Sequence, residues 1–168
     1  IDGFVSHVAS FREIEVIDIR PLDPGHGIRF IQADLMDLPE SLVAAADSVS
    51  CLHALEHFGL GRYGDPVNFD GWKRGLEALT KLVKPGGILY LSVPTSYRQR
   101  VEFNAHRVFS LPFLRDAVSA DFDIVRCSFV LDDGSLLEEI DLQSSGAEQS
   151  FRAEYGCSIW VLRSKVEN

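Results

Sequence analysis

The 168-residue chain is poor in cysteine: Cys51, Cys127 and Cys157 are an odd number with no paired spacing. That excludes a disulfide framework and a cysteine-built zinc cluster, and it fits a reducing, cytoplasmic compartment. Basic charge is scarce too, with 16 Lys and Arg against 25 Asp and Glu and a net charge of −9. So acidic a chain does not present the basic groove a nucleic-acid partner needs. No apolar run approaches the length of a membrane span, and no signal-peptide pattern is present. The chain opens on Ile1 rather than Met, as expected of a fragment or trimmed product. Repeats and low-complexity tracts are also missing. What remains is one domain over residues 1–168, 46% hydrophobic and long enough to bury a core.

The apolar pattern alternates short strands with longer helices. Phe4, Val5 and Val8 share one face of a first short helix. EVIDIR over 15–20 and IRFIQ over 28–32 read as strands, separated by Pro21 and the turn at 23–27. A short helix is expected over Leu42 to Ala46, and a third strand over 48–52. Phe69, Trp72, Leu76, Leu79, Leu82 and Val83 form one helical stripe, capped by Asn68 or Asp70 and stopped by KPGG at 84–87. ILYLSV over 88–93 is apolar on both faces, as a central parallel strand should be. Ser110 caps a helix that turns Phe113, Leu114, Ala117 and Val118 inward. Strands over 123–130 and 157–163 close the chain as an antiparallel pair. Between them Asp132, Asp133, Glu138, Glu139, Asp141, Glu148 and Glu154 face Arg152 alone, which reads as a solvated acidic insertion over about 132–156. The expected fold is α/β: a Rossmann-like three-layer sandwich with a mostly parallel sheet and an antiparallel last strand.

Ligands of such sheets gather outside the carboxyl ends of the strands. Asp18 closes the first strand, Asp34 and Leu35 follow the second, His53 to His57 the third, and Pro94 to Tyr97 the fourth. A carboxylate at the first of these positions suits two ribose hydroxyls; one at the second suits an adenine amino group, with leucine against the ring. Each residue alone has an ordinary surface reading. Four such stretches at four strand ends carry more weight together.

The order EVIDIR at 15–20, QADL at 32–35, HALEH at 53–57 and LVKPGGILYLS at 82–92 resembles class I S-adenosylmethionine-dependent methyltransferases. The KPGG turn into a hydrophobic strand and the LEH stretch are features of that superfamily. HFGLGRYGDP at 57–66 and EFNAHR at 102–107 resemble, more narrowly, a methyltransferase-like family of unknown function found in bacteria and nematodes. The resemblance implies S-adenosylmethionine as cofactor, with Asp18 on the ribose, Asp34 and Leu35 flanking the adenine, and His53 near the methionine part. It also implies a glycine-rich loop after an earlier central strand. Only residues 1–4 match its tail, with Gly3 as the last glycine, so that strand and loop are expected to be missing.

Within 53–57 lies H-x-x-E-H, a pattern that on a helix places two histidines on one face for zinc with a glutamate as base. Asp47 to Ser50 make a poor helix interior, Gly59, Gly61 and Gly64 stop any helix after His57, and no third ligand declares itself beyond a conceivable Glu77. The metal reading, a zinc hydrolase, is therefore the weaker one, and no metal ligand is assigned. A non-catalytic methyltransferase-like module is the other alternative. For methyl transfer, alignment does most of the work, and a hydroxyl acceptor also needs a base. His57 oriented by Glu56, or else His106, is the expected base. Arg62, Tyr63, Arg98, Arg100 and Arg107 are expected to meet an acceptor carrying phosphate or carboxylate, a small molecule or glycan precursor. Pairing of these arginines with Asp65 and Glu102 is the plain alternative.

Overall fold

The structure, a computed structural model, describes residues 3–23, 25 and 27–165. Ile1 and Asp2 of the expected glycine-loop tail, and Pro24 and His26 of the expected turn, lie outside the described residues. Helix α1 (Gly3–Ala9) presents no buried residue. Strands β1 (Glu15–Asp18) and β2 (Arg29–Gln32) pair in parallel, Asp18 opposite Gln32, as a separate two-stranded sheet. A single 3-10 turn at Leu35–Asp37 follows them, capped by the Asp34 carboxylate, which accepts from the Met36 N–H at 2.8 Å.

The main sheet holds β3 (Ala46–Leu52), β4 (Val83–Thr95), β7 (Phe122–Val130), β8 (Leu136–Leu137) and β9 (Gly156–Ser164), in the order β3-β4-β9-β7-β8. β3 runs parallel to β4, whereas β9 lies antiparallel between β4 and β7. Strands β3, β4 and β7 therefore point one way and share one carboxyl end, with the start of β9 beside it. Among the described residues β1 lies at an edge of the small sheet and β3 at an edge of the main one. A hairpin of β5 (Arg100–Glu102) and β6 (His106–Val108) stands above this end.

Helices α2 (Gly71–Leu82) and α3 (Leu111–Val118) bury Leu76, Leu79, Leu111, Leu114 and Val118 against Leu89, Leu91, Trp160 and Leu162 of the sheet. β9 alternates strictly, burying Ser158, Trp160 and Leu162 while Cys157, Ile159 and Val161 face the other way. The Trp160 indole donates to Ser158 Oγ at 2.9 Å, and Ser158 Oγ lies 2.7 Å from Thr95 Oγ1, so the buried polar atoms satisfy one another. No helix among the described residues is long and apolar enough to cross a membrane.

Three local expectations need correcting. Leu42–Ala46 is not a helix: a 3-10 turn at Glu40–Leu42 leads through Ala44, at φ 50°, straight into β3. Phe69 does not join the helical stripe but lies outside α2 and is 80% exposed. Neither proposed cap bonds a helix N–H through its side chain, because Asn68 Oδ1 accepts instead from the Asp70 N–H at 2.9 Å. The acidic segment keeps Asp132, Asp133, Glu138, Glu139, Asp141, Glu148 and Glu154 exposed, yet it is not without structure. It carries helix α4 (Ser145–Glu148) and a turn at Ser150–Arg152, and it buries Ala147, Ser150 and Ala153. Asp132 accepts from the Glu154 and Tyr155 N–H groups at 2.9 and 2.8 Å, and Arg115 pairs with Glu148. Asp133 and Asp141 likewise accept from the Ser135 and Gln143 N–H groups at 2.8 and 2.9 Å.

Candidate active site

β3 ends beside β4, where the His53 N–H donates to the Ser92 carbonyl at 2.9 Å. His53 then takes φ 51°, a left-handed step that turns the chain sharply out of the sheet. A 3-10 turn at Leu55–His57 follows and tucks Leu55 and Glu56 inward. The H-x-x-E-H pattern is thus displayed on a strand end and a turn, not on a helix. Among the described residues no group of three or more His, Cys, Asp or Glu is placed to hold a metal ion.

Glu56 is 2% exposed, and its two oxygens differ. Oε1 lies 3.3 Å from His53 Nδ1 and 3.8 Å from His57 Nε2, while Oε2 has no hydrogen-bond partner. An acceptor without a partner inside the protein costs on the order of 1–3 kcal/mol unless something else meets it. His53 Nε2 faces Cys157 Sγ at 3.5 Å. The bond to Cys157 and then that to Glu56 hold a proton on His53 and raise its pKa to about 10. His57 Nδ1 meets the Ala105 carbonyl at 2.7 Å, which fixes Nδ1 as the protonated nitrogen and leaves Nε2 to take up or release a proton.

The contacts continue in both directions. The His57 ring meets Tyr63 edge-on at 5.3 Å and His106 at 6.2 Å, and His106 Nε2 lies 3.0 Å from the Tyr155 hydroxyl. The Arg20 guanidinium sits 4.7 Å from the centre of the Tyr63 ring. Arg20 in turn clasps Asp18 through its side chain at 2.8 and 3.0 Å, which holds the Asp18 carboxyl below its usual pKa. An unbroken line of contacts therefore joins the end of β1 to the end of β3 and the start of β9: Asp18, Arg20, Tyr63, His57, Glu56, His53 and Cys157.

The loop carrying Tyr63 is built by backbone. Asp65 accepts from the N–H groups of Gly59, Gly61 and Tyr63 at 2.8, 3.2 and 3.1 Å. Gly59, at φ 75°, lies so close to the start of α2 that a Cβ there would sit 2.2 Å from the Asn68 carbonyl oxygen. Arg107 is buried and donates to the carbonyls of Glu56, Phe58, Asn68 and Phe69, binding both ends of this loop.

The residues picked from sequence are thus sorted. Asp18, His53, Glu56, His57, Tyr63 and His106 come together. Arg62 stacks on Tyr63 at 5.8 Å and stays exposed, whereas Arg107 is turned inward as a loop clamp. Arg98 lies over the Tyr97 ring, and Arg100 pairs with Glu102 at 2.8 Å, as the plain reading of that arginine has it. Asp34 is occupied by the Met36 N–H, Leu35 packs against the core, and Gly3 opens α1 with nothing close to its Cα face. Sequence reasoning passed over Arg20, Tyr155 and Cys157 as site residues, and it gave Asp65 to the arginines rather than to the loop N–H groups it meets. Cys157 had a signal: the first residue of a strand antiparallel to the rest must sit at their carboxyl ends.

The fold has many solved relatives. The cyclase SpnF superposes with a TM-score of 0.64 at 15% identity, over 98% of this chain and 72% of that one. Burkholderia thailandensis 1,6-didemethyltoxoflavin-N1-methyltransferase, solved with its substrate and S-adenosylhomocysteine, gives 0.64 at 16% identity, over 97% and 66% of the two chains. The N-methyltransferase NodS of Bradyrhizobium japonicum WM9, with S-adenosylhomocysteine, gives 0.59 at 14% identity, over 96% and 72%. The present chain spans about two thirds to three quarters of their lengths. At such identities the likeness establishes the Rossmann-like fold of class I methyltransferases and not the reaction, as a cyclase among them illustrates. No curated protein matches the chain. Residues 29–163 match the family described as Caenorhabditis protein of unknown function, DUF268, and the chain belongs to that family.

Proposed function

We propose that this chain forms the core of an S-adenosylmethionine-dependent methyltransferase whose acceptor is a small anionic molecule or a glycan precursor. The observation that supports it is the continuous line of contacts from Asp18 to Cys157 along the strand ends, where ligands of such sheets bind. The residues present fit the cofactor in two respects. Asp18 is a carboxylate kept ionised by Arg20 at the end of β1, and Glu56 Oε2 is a buried acceptor awaiting a donor. When bound, S-adenosylmethionine supplies a sulfonium-bound methyl group. Asp18 would hold its ribose hydroxyls once Arg20 turns toward Tyr63, and His53 would lie along its methionine portion.

His57 acts as general base on this reading. With Nδ1–H given to Ala105, Nε2 takes the proton of an acceptor hydroxyl, and the Glu56 carboxylate beside it favours the imidazolium that results. Arg62 and Arg98 form no ion pair with a carboxylate among the described residues, so both keep their charge for a phosphate or carboxylate on the acceptor. All three cysteines are unpaired thiols, which suits a reducing, cytoplasmic setting.

Calorimetric titration with S-adenosylhomocysteine tests the reading, on the chain and on any longer natural form of it. Asp18→Ala should weaken binding about 10- to 100-fold, the worth of hydrogen bonds to a charged group. His57→Ala should leave binding in place and lower transfer by roughly 10²- to 10⁴-fold. No binding by the whole natural protein would overturn the proposal. It would favour the second reading, a module that associates without turnover, to which the closure of Asp18 on Arg20 and of Asp34 on Met36 lends support.

A further inference from the structure

We propose that Cys157 is a nucleophilic modification site, a thiol that His53 and Glu56 activate toward hydroperoxides. Three side chains from two strand ends form a relay: Cys157 Sγ lies 3.5 Å from His53 Nε2, and His53 Nδ1 lies 3.3 Å from Glu56 Oε1. Cys157 is partly exposed, on the face of β9 opposite the buried Ser158 and Trp160. Its side chain is thus within reach of a small reagent. The other two thiols serve as internal contrast. Cys51 and Cys127 are buried, and burial pushes each pKa up to about 12, so neither is a nucleophile near neutrality.

Glu56 gives the relay its direction. It is 2% exposed, its Oε2 has no partner, and its Oε1 sits against the imidazole. A carboxylate held there favours a proton on the ring between it and the sulfur, in the way a third group orients other nucleophile and base pairs. The raised affinity of His53 for its proton, due first to Cys157 and then to Glu56, agrees with this geometry.

The chemistry balances without a further reagent. Cys157 yields its proton to His53 Nε2, and the thiolate attacks one oxygen of the hydroperoxide. The S–O bond forms as the O–O bond breaks; sulfur is oxidised to a sulfenic acid and the peroxide is reduced. The departing oxygen takes the proton back from Nε2 and leaves as water or alcohol. A peroxide needs only a thiolate and an adjacent proton donor, the parts this reading gives to Cys157 Sγ and His53 Nε2, which lie 3.5 Å apart. The proposal goes beyond the methyl-transfer reading, and its test contains no cofactor, so either can fail alone.

The purified chain is exposed to hydrogen peroxide with dimedone, which traps sulfenic acids, and the adducts are mapped by peptide mass spectrometry. One adduct at Cys157 is expected, with Cys51 and Cys127 unmodified. His53→Asn, whose side chain tolerates the left-handed backbone at that position, should slow trapping and iodoacetamide alkylation of Cys157 about tenfold. Glu56→Gln should lower the ultraviolet absorbance of the thiolate, which a merely structural glutamate would not affect. Protection of Cys51 and Cys127 in each variant reports that the core remains closed. Trapping at another cysteine, or a Cys157 rate unchanged in His53→Asn, overturns the proposal.

Discussion

The main sheet around β9 and the separate sheet of β1 and β2 are built very differently. Around β9 the packing is dense: Trp160, Leu162, Phe129, Leu89, Leu91 and Leu114 are fully buried. Around β1, β2 and α1 nothing is, and β3 buries only Cys51. The first region has a strand on each side of every central strand and helices across one face. The second has a free edge at β1 and another at β3, bridged by Arg20 over Tyr63 and by the turn at 35–37 against α2. The candidate site lies on the seam. Its thiol sits on densely packed β9 and its imidazoles follow β3, whose end is bonded to β4, whereas Asp18 reaches it from the loosely packed side through two cationic contacts. Stability and ligand binding are therefore expected to be governed by different halves.

Substitutions on the two sides should separate sharply. Trp160→Ala removes a fully buried indole and leaves the Thr95–Ser158 pair without its third member, for a loss of about 3–5 kcal/mol in denaturant unfolding. Gly59→Ala drives a methyl into the Asn68 carbonyl at a left-handed φ. About 1–3 kcal/mol of strain is expected there. The Tyr63 loop should give way first, seen as faster proteolysis between residues 58 and 70. Phe11→Ala, on the loose side and 63% exposed, should change stability by less than about 0.5 kcal/mol. A Phe11 effect as large as that of Trp160 would erase the contrast.

The seam itself has a pH signature. The folded chain holds the His53 proton more tightly than the unfolded chain does, with a pKa raised from 6.5 to about 10. That contribution to stability is complete below pH about 6.5 and is lost as pH rises through about 10. The stability difference between wild type and His53→Asn should therefore be largest at acidic to neutral pH and shrink toward pH 10. Because His53 is about half exposed, solvent screening keeps the effect well below that of Trp160→Ala.

Strands and strand ends were legible because their causes are local. EVIDIR, ILYLSV and CSIWVLR declare themselves by β-branched and apolar runs, and the parallel pairing of β3 with β4 sends those two carboxyl ends to one side, where antiparallel β9 begins. That reasoning found Asp18, His53, Glu56 and His57. It did not find how the groups are spent. Asp34 and Leu35 match the cofactor pattern, yet one caps a turn and the other packs inward, choices made by the backbone that follows them. Arg107 reads as a surface cation, but four carbonyls of a folded-back loop, 38 to 51 residues earlier in sequence, draw it inside. Nothing in the local sequence encodes those carbonyls. The acidic segment reads as exposed charge and its carboxylates are exposed, but the N–H groups and the Arg115 that meet some of them lie on other stretches of chain and leave no local signal.

Hydrogen–deuterium exchange with and without S-adenosylhomocysteine, on the whole natural protein, tests most directly whether the two halves meet in one cleft. Simultaneous protection of residues 15–20, 52–63 and 155–158 is the predicted result. Protection confined to one of these segments, or none in any of them, contradicts it.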